Sequence, residues 1–183
     1  MIGGALLQGC GSDKVIVRMS TEMGNITIEI YDKRAPLTAS NFLRYVEEGL
    51  FEDAKFYRVV TKENQPLNDV KIEVIQGGLL TEEKMYEPIK HETTSETGVL
   101  HEDGVISMAR NEPGTATSEF FICIGRQPEL DFGGERNPDG QGFAAFGRVI
   151  EGMEVVRKIQ QQPENEQMLN HQVRIINITR KNR

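Results

Sequence analysis

Short segments rich in β-branched and aromatic residues recur along this chain, and that recurrence most constrains its fold. Residues 25–31 are the clearest case, because Ile26, Ile28 and Ile30 alternate with polar residues, as in a strand with one buried face. Similar segments predict strands at 14–20, 25–31, 55–60, 71–76, 104–110, 120–124, 143–149 and 173–180. Helices are predicted only at 36–48 and 153–161. The sequence therefore predicts a mainly β fold, either a barrel or a sandwich, and periodicity does not choose between them.

Length and charge exclude several classes of protein. A chain of 183 residues favours one domain with a sizeable core. Its net charge of -7 argues against a nucleic-acid partner, because no basic stripe is available to neutralise phosphates. His91, His101 and His171 lie apart, without the spacing of metal ligands, so we predict surface positions for all three. We predict no metal site and no cofactor.

The amino-terminal segment differs from the rest of the chain. Residues 7–10 read Leu-Gln-Gly-Cys, between a small apolar stretch and polar residues, and resemble a bacterial lipobox. In such a motif the cysteine becomes the lipidated first residue; a disordered tail is the alternative. We therefore predict that 1–14 is a tail or the remnant of a lipoprotein signal and that 15–183 is the folded domain. The predicted location is the bacterial cell envelope, with membrane attachment only through Cys10, and the cytoplasm is the alternative.

A pocket beside a fixed cation is predicted where two of these strands come together. Phe120 and Phe121 point to opposite faces of their strand, so one can pack in the core while the other lines a pocket. Arg58, on a neighbouring strand, can lie over the same pocket, although a structural ion pair is an alternative role for it. A cation beside an apolar pocket, without a nucleophile or metal, suits a reaction that breaks no covalent bond. Rotation about a prolyl peptide bond is such a reaction.

A series of short motifs extends from about residue 15 to residue 180. In order they are Ala35-Pro36-Leu37-Thr38-Ala39-Ser40-Asn41-Phe42, Phe56-Tyr57-Arg58, Gln76-Gly77-Gly78, Gly104-Val105-Ile106-Ser107-Met108-Ala109, Phe120-Phe121-Ile122, Leu130-Asp131 and Phe146-Gly147-Arg148-Val149. Each motif is weak alone, but in this order they resemble the cyclophilin family of peptidyl-prolyl isomerases. The resemblance implies a closed eight-stranded antiparallel barrel capped by two helices.

The resemblance also implies roles for individual residues. By position, Arg58 resembles the catalytic arginine and Gln76 the glutamine that orients it. Phe121 and Leu130 resemble walls of the proline pocket, and Val74 falls where the family usually has a methionine. The full set of matched substrate-binding positions is Tyr57, Val74, Gln76, Ala109, Arg110, Glu119, Phe121, Leu130 and Phe143.

Two departures from the family pattern affect this site. Glu119 stands where the family commonly has a substrate-binding glutamine, and we expect it to lie near Arg58 and accept hydrogen bonds from the guanidinium. The seventeen residues 59–75 exceed the usual spacing between the arginine and Gln76. Within them, Ile72 and Glu73 compete for the position of a pocket phenylalanine.

The expected function is that of a peptidyl-prolyl cis-trans isomerase that acts on proline-containing peptides and unfolded protein chains and so assists protein folding. The alternative is a peptide-binding or chaperone-like module on the same fold, with little or no catalysis. Glu119 and the insertion at 59–75 are the features that favour the alternative.

Overall fold

The architecture is a closed β-barrel, described by a computed structural model for residues 14–52 and 54–181. The strands among these residues are β1 Val15–Thr21, β2 Gly24–Ile30, β3 Lys55–Val60, β4 Val74–Gly78, β5 Val105–Met108, β6 Phe120–Cys123, β7 Ala144–Glu151, β8 Glu164–Asn165 and β9 Met168–Arg180. All pairings are antiparallel, in the order β1-β2-β7-β5-β6-β4-β3-β9, and β9 also pairs with β1. Eight strands therefore close the barrel, and β8 is a further strand attached to β9. The predicted eight-stranded barrel is confirmed, and the sandwich is wrong.

Two longer helices pack against this barrel, as predicted. Helix α1, Pro36–Glu47, starts at a proline and buries Ala39, Phe42, Leu43 and Val46. A short helix α2, Thr94–Thr97, was not predicted from the sequence; Thr93 and Glu96 cap its start reciprocally. Helix α3, Met153–Gln160, buries Val155, Val156 and Ile159. α1 packs against β7 and β9, and α3 packs against β2, β3 and β4.

Aromatic rings fill the space between α1 and the barrel. The Phe120 ring meets that of Phe42 edge to face, with 5.7 Å between centroids, and it meets Phe51 and Phe56 in the same way. Phe120 and Ile122 belong to this core, whereas the alternate residues Phe121 and Cys123 belong to a second apolar cluster on the opposite face of β6. The prediction that Phe120 and Phe121 serve different faces is confirmed.

Strand β4 begins later than predicted, at Val74 rather than at residue 71. The side chain of Gln65, in the preceding loop, bonds both the backbone N–H and the carbonyl of Ile72, so that residue is tied to the loop rather than to a neighbouring strand. At the other end of β4, a Cβ on Gly77 would stand 2.6 Å from the carbonyl oxygen of Lys55. Glycine at that position lets β3 and β4 approach closely.

Among residues 14–52 and 54–181, no helix has the length and apolar character needed to cross a lipid bilayer.

Candidate active site

A cavity of about 650 Å³ opens on the outer face of the barrel beside β3, β4 and β6. Nine of the ten residues matched from the sequence line it, namely Arg58, Val74, Gln76, Ala109, Arg110, Glu119, Phe121, Leu130 and Phe143. Tyr57 does not line the cavity itself. Its hydroxyl donates a hydrogen bond to the carboxylate of Glu119, which lines the cavity. The structure therefore brings the predicted site residues together.

One end of the cavity is apolar. Val74, Phe121 and Leu130 are buried there in one cluster, and Phe143 packs edge-on against Phe121 with 5.2 Å between centroids. Ile72 lines this end as well, whereas Glu73 pairs with Lys62 at 3.5 Å. Ile72 therefore occupies the pocket position for which the two residues competed in the sequence.

Arg58 lies at the edge of this apolar end and is held by two neutral amides. Its Nη1 donates to Oε1 of Gln76 at 2.8 Å, and its Nε and Nη2 donate to Oε1 of Gln167 at 3.0 and 2.6 Å. Burial lowers the pKa of the guanidinium, yet an arginine stays charged at any physiological pH. Three of its five N–H groups are used in these bonds, so one remains on each terminal nitrogen for a substrate. Within the described part of the chain, Arg58 forms no ion pair, and its hydrogen-bond acceptors are the two neutral amides.

Glu119 lies close enough to Arg58 for its charge to act on the guanidinium, but it accepts no hydrogen bond from that group, so this expectation is wrong. The Glu119 Oε2 atom accepts hydrogen bonds from the Tyr57 hydroxyl at 2.6 Å and from Nε2 of Gln76 at 3.1 Å. These bonds turn the Gln76 amide so that its oxygen faces Arg58. Burial, and then the hydrogen bond to Glu119, raise the pKa of Tyr57. Glu119 therefore acts on Arg58 through Gln76 and through its charge.

Gln167, the second partner of Arg58, was not found by reasoning from the sequence. It lies with Glu166 in the two-residue turn between β8 and β9, where both residues adopt positive φ angles, 52° and 73°. Such a turn normally carries asparagine or glycine, so nothing in the sequence marks it. The Gln167 Nε2 atom also donates to the carbonyl of Asn64, in the loop between β3 and β4, at 3.0 Å.

His101 is fully buried, so its predicted surface position is wrong. Its Nδ1 lies 2.7 Å from a carboxylate oxygen of Asp131, and its Nε2 lies 2.9 Å from the Ser107 hydroxyl. The imidazole ring stacks on Phe121 at 5.9 Å between centroids. His101 therefore supports the pocket wall from behind.

Ala109 and Arg110 bound the cavity at the far side of β5. The Ala109 N–H donates to the carbonyl of Glu119, so that backbone group is already bonded. The Arg110 guanidinium forms a two-point pair with Asp139, at 2.8 and 2.9 Å, and lies 5.1 Å from the centre of the Phe143 ring. Its Nε and Nη2 also donate to the carbonyl of Gly142, at 2.9 and 2.6 Å, so Arg110 holds the loop before Phe143 in place.

Nothing among the described residues points to covalent or metal chemistry at this cavity. No group of three histidine, cysteine or acidic side chains in 14–52 and 54–181 could hold a metal ion. Cys123 is fully buried, and that burial raises the pKa of its thiol, which makes it a poor nucleophile. The arrangement offers a fixed cation, an apolar pocket and hydrogen-bonding groups.

Comparisons with known proteins agree with this geometry. Residues 16–180 match the family model described as "Cyclophilin type peptidyl-prolyl cis-trans isomerase/CLD". A peptidyl-prolyl cis-trans isomerase of Acinetobacter baylyi is 34% identical over 168 residues, covering 89% of this chain and 81% of that protein. The peptidyl-prolyl cis-trans isomerase B of Escherichia coli is 35% identical over 149 residues, covering 79% and 83% of the two chains.

The fold is also similar to that of solved structures. A cyclophilin type peptidyl-prolyl cis-trans isomerase of Cryptosporidium parvum superposes with a TM-score of 0.75 at 22% identity, covering 93% of this chain and 99% of that one. The structure of the same protein determined in the presence of the dipeptide Ala-Pro gives a TM-score of 0.72, at 20% identity and with 92% and 99% of the chains covered.

Proposed function

This chain belongs to the cyclophilin-type peptidyl-prolyl cis-trans isomerase family, and from that membership we propose how its residues isomerise prolyl bonds. The enzyme is a peptidyl-prolyl cis-trans isomerase, and Arg58 is its catalytic residue. The observation that carries the assignment of Arg58 is its position: a guanidinium with two unused N–H groups stands beside an apolar pocket.

The chemistry follows from the electronic structure of the amide. Rotation about a peptide bond has a barrier of ~18–20 kcal/mol, because the nitrogen shares its lone pair with the carbonyl group. In the twisted transition state that lone pair is localised on the proline nitrogen. An N–H of Arg58 aimed at it binds the transition state more strongly than either ground state, which is the condition for catalysis. A rate gain of ~10⁴ needs about 5.5 kcal/mol of such preference.

The apolar end of the cavity supplies the binding. Val74, Phe121, Leu130 and Phe143 form a pocket suited to a proline ring, and the substrate chain lies along the groove past Gln76 and Glu119. An apolar surrounding also weakens the charge-separated resonance form of the amide, which lowers the barrier further. The substrates are proline-containing peptides and unfolded protein chains. By isomerising the prolyl bonds of unfolded chains, the enzyme assists protein folding.

An exchange measurement on one short peptide tests the proposed function. The protein is added in small amount to an amidated Ala-Ala-Pro-Ala peptide, and the cis–trans exchange rate is read by NMR exchange spectroscopy. Exchange should be faster than in the free peptide at protein concentrations far below that of the peptide. Peptide line broadening or shifts without faster exchange would instead support the peptide-binding module and overturn catalysis.

We further propose that Cys10 anchors the protein in the bacterial cell envelope. Cys10 and the tail at 1–13 lie outside the described residues, and the support is the lipobox-like sequence at 7–10. Several acyl chains on one cysteine anchor a domain stably, whereas one chain binds marginally. When the native gene is expressed in the source cell, the wild-type protein should be found in the membrane fraction. The Cys10→Ser variant should be found in the soluble fraction. A soluble wild type with an unmodified Cys10 in mass spectrometry would overturn the proposal.

A further inference from the structure

A second guanidinium lines the same cavity as Arg58. Arg136 comes from the loop between Leu130 and β7, a different part of the chain from β3, yet both arginines line the one cavity. They are close enough for the charge of Arg58 to lower the pKa of Arg136, after the larger effect of burial. Neither effect removes the charge, because arginine does not deprotonate in proteins.

The hydrogen bonds of Arg136 leave one edge of its guanidinium unused. Its Nη1 donates to Oε1 of Gln65 at 3.0 Å and to the carbonyl of Val70 at 2.6 Å. Both acceptors are neutral, and they take both hydrogens of Nη1. Across residues 14–52 and 54–181, the Nε–H and both Nη2–H groups of Arg136 have no acceptor. That edge is the fork with which arginine binds a carboxylate through two parallel hydrogen bonds.

The other charges around the cavity do not neutralise this edge. Arg110 is already paired with Asp139 at two points. The bonded oxygen of Glu119 is occupied by Tyr57 and Gln76, and its charge acts on Arg58. Arg136 therefore keeps an uncompensated positive charge within a groove of a protein whose net charge is -7. A half-buried cation in this state attracts an anion brought by the substrate.

We propose that Arg136 is a specificity-determining residue that selects substrates with a carboxylate on a residue next to the proline. The proposal rests on the proposed function, because it assumes that the proline ring occupies the apolar end beside Arg58. A side chain flanking that proline then lies within the same cavity as the free edge of Arg136. Glutamate or aspartate in the substrate forms the two-point pair that the protein itself does not provide.

The test compares peptides that differ only in charge. Amidated, acetylated Ala-Ala-Pro-Glu and Ala-Ala-Pro-Gln form one pair, and Ala-Glu-Pro-Ala and Ala-Gln-Pro-Ala form the other. We expect kcat/KM for the glutamate peptide to exceed that for its glutamine partner about three- to tenfold in at least one pair, and more at low salt than at high salt. In Arg136→Gln that ratio should fall to about one, and in Arg136→Lys part of it should remain.

A matched control separates a local effect from a change in total charge. Arg126 is exposed, pairs with Glu102 at 3.3 Å and does not line the cavity. Arg126→Gln changes the net charge by the same amount, and it should leave the glutamate-to-glutamine ratio as in the wild type. Loss of the ratio in both variants would overturn the assignment of Arg136.

The outcomes also keep the two proposals apart. If the wild-type protein isomerises both peptides of each pair with equal kcat/KM, the role of Arg136 is overturned and the proposed isomerase function stands. If the wild-type protein accelerates cis–trans exchange in none of the peptides, the proposed function itself is overturned. Because the ratio compares two peptides on one protein sample, partial unfolding of Arg136→Gln through its lost bonds to Gln65 and Val70 cannot produce the expected result.

Discussion

At the scale of single residues, Arg58 is the group on which turnover should depend. Its side chain is held by Gln76 and Gln167 at the rim of an open cavity. When the guanidinium is removed, water can therefore bond to both amide oxygens. Arg58→Ala should lower kcat/KM at least about tenfold, or ~1.4 kcal/mol, while Tm stays nearly unchanged. The same NMR exchange assay and a thermal melt check this. Turnover like that of the wild type would remove Arg58 from the mechanism.

Glu119 offers the opposite test, a substitution that should increase activity. A single oxygen of Glu119 accepts from both Tyr57 and Gln76, so the amide oxygen of a glutamine can replace it. Glu119→Gln removes a negative charge beside Arg58 and adds an N–H donor for a substrate carbonyl. We expect kcat/KM on a neutral peptide to rise several-fold, about 1 kcal/mol.

An independent readout of the same variant is the titration of Tyr57. In the wild type, burial and then the hydrogen bond and the charge of Glu119 raise the pKa of Tyr57, so its hydroxyl stays protonated in alkaline solution. In Glu119→Gln that pKa should fall, visible as tyrosinate absorbance at lower pH. Reduced turnover together with the lowered pKa would show that the carboxylate prepares Arg58 for its task.

Residue roles were predictable from the sequence where a local motif carries them. Arg58, Gln76 and Phe121 stand in such motifs, and all three line the cavity. The roles of Gln167 and His101 were not predicted, because they depend on partners far along the chain. These partners are Arg58 for Gln167 and Asp131 for His101. A glutamine in a turn and an isolated histidine carry no periodic signal of such contacts.

At the scale of elements, the turn between β8 and β9 combines strain with a role at the site. Glu166 has a φ of 52° although it is not a glycine, and it is exposed. A left-handed conformation is unfavourable for most side chains by roughly 1–2 kcal/mol. Glu166→Gly should therefore raise the free energy of unfolding by about 0.5–1 kcal/mol in urea denaturation, since part of the gain is offset by a more flexible unfolded chain. A decrease would show that the turn is not strained.

The same turn aims Gln167 at Arg58, and that aim can be tested separately. Gln167→Ala removes the acceptor of two Arg58 donors, so we expect kcat/KM to fall about three- to tenfold. The fall should come mainly in kcat, because the apolar pocket that binds proline is untouched. Gln162→Ala is the matched control, since Gln162 is bonded to the carbonyl of Lys158 and lies away from the cavity. Equal effects of the two substitutions would contradict a positioning role for Gln167.

Most elements were predictable because each has its own local pattern. The helix ends near residues 47 and 160 and the strands β2, β3 and β6 agree with their predicted positions within one or two residues. Strand β9 begins at Met168, five residues before its predicted start, because its first part is fixed by pairing with β8 and β3. Residues 170–172 are polar and exposed at three consecutive positions, so this part of the strand lacks the alternation of apolar and polar residues that predicts a strand.

At the scale of the whole molecule, Cys123 reports on the integrity of the barrel. It lies in β6 between β4 and β5, fully buried, with a thiol whose pKa burial raises. In a Cys10→Ser background it is the one cysteine left of the two in the chain. A thiol reagent should therefore modify it only as fast as the protein unfolds, even in mildly alkaline solution. Rapid modification under native conditions would mean that β6 opens locally.

Closure of the barrel is the feature of the whole molecule that periodicity could not predict. Alternating strands are compatible with a barrel and with a sandwich, because both bury one face of each strand. The pairing that decides between them joins β1 to β9, with Val17 opposite Arg180. No local pattern encodes a contact across that separation, and only the resemblance of the whole series of motifs predicted it.

That pairing also sets the moment at which a newly made chain becomes an enzyme. The backbone N–H of Lys181 donates to the carbonyl of Ile16 at 2.9 Å, so β1 gains this partner only after β9 has left the ribosome. Until then β3 lacks its neighbour β9, and Arg58 lacks the Gln167 acceptor. A nascent chain therefore has no assembled catalytic centre before β9 has emerged. Before that point the chain cannot catalyse prolyl isomerisation within its own strands, and any such help must come from other molecules that are already folded.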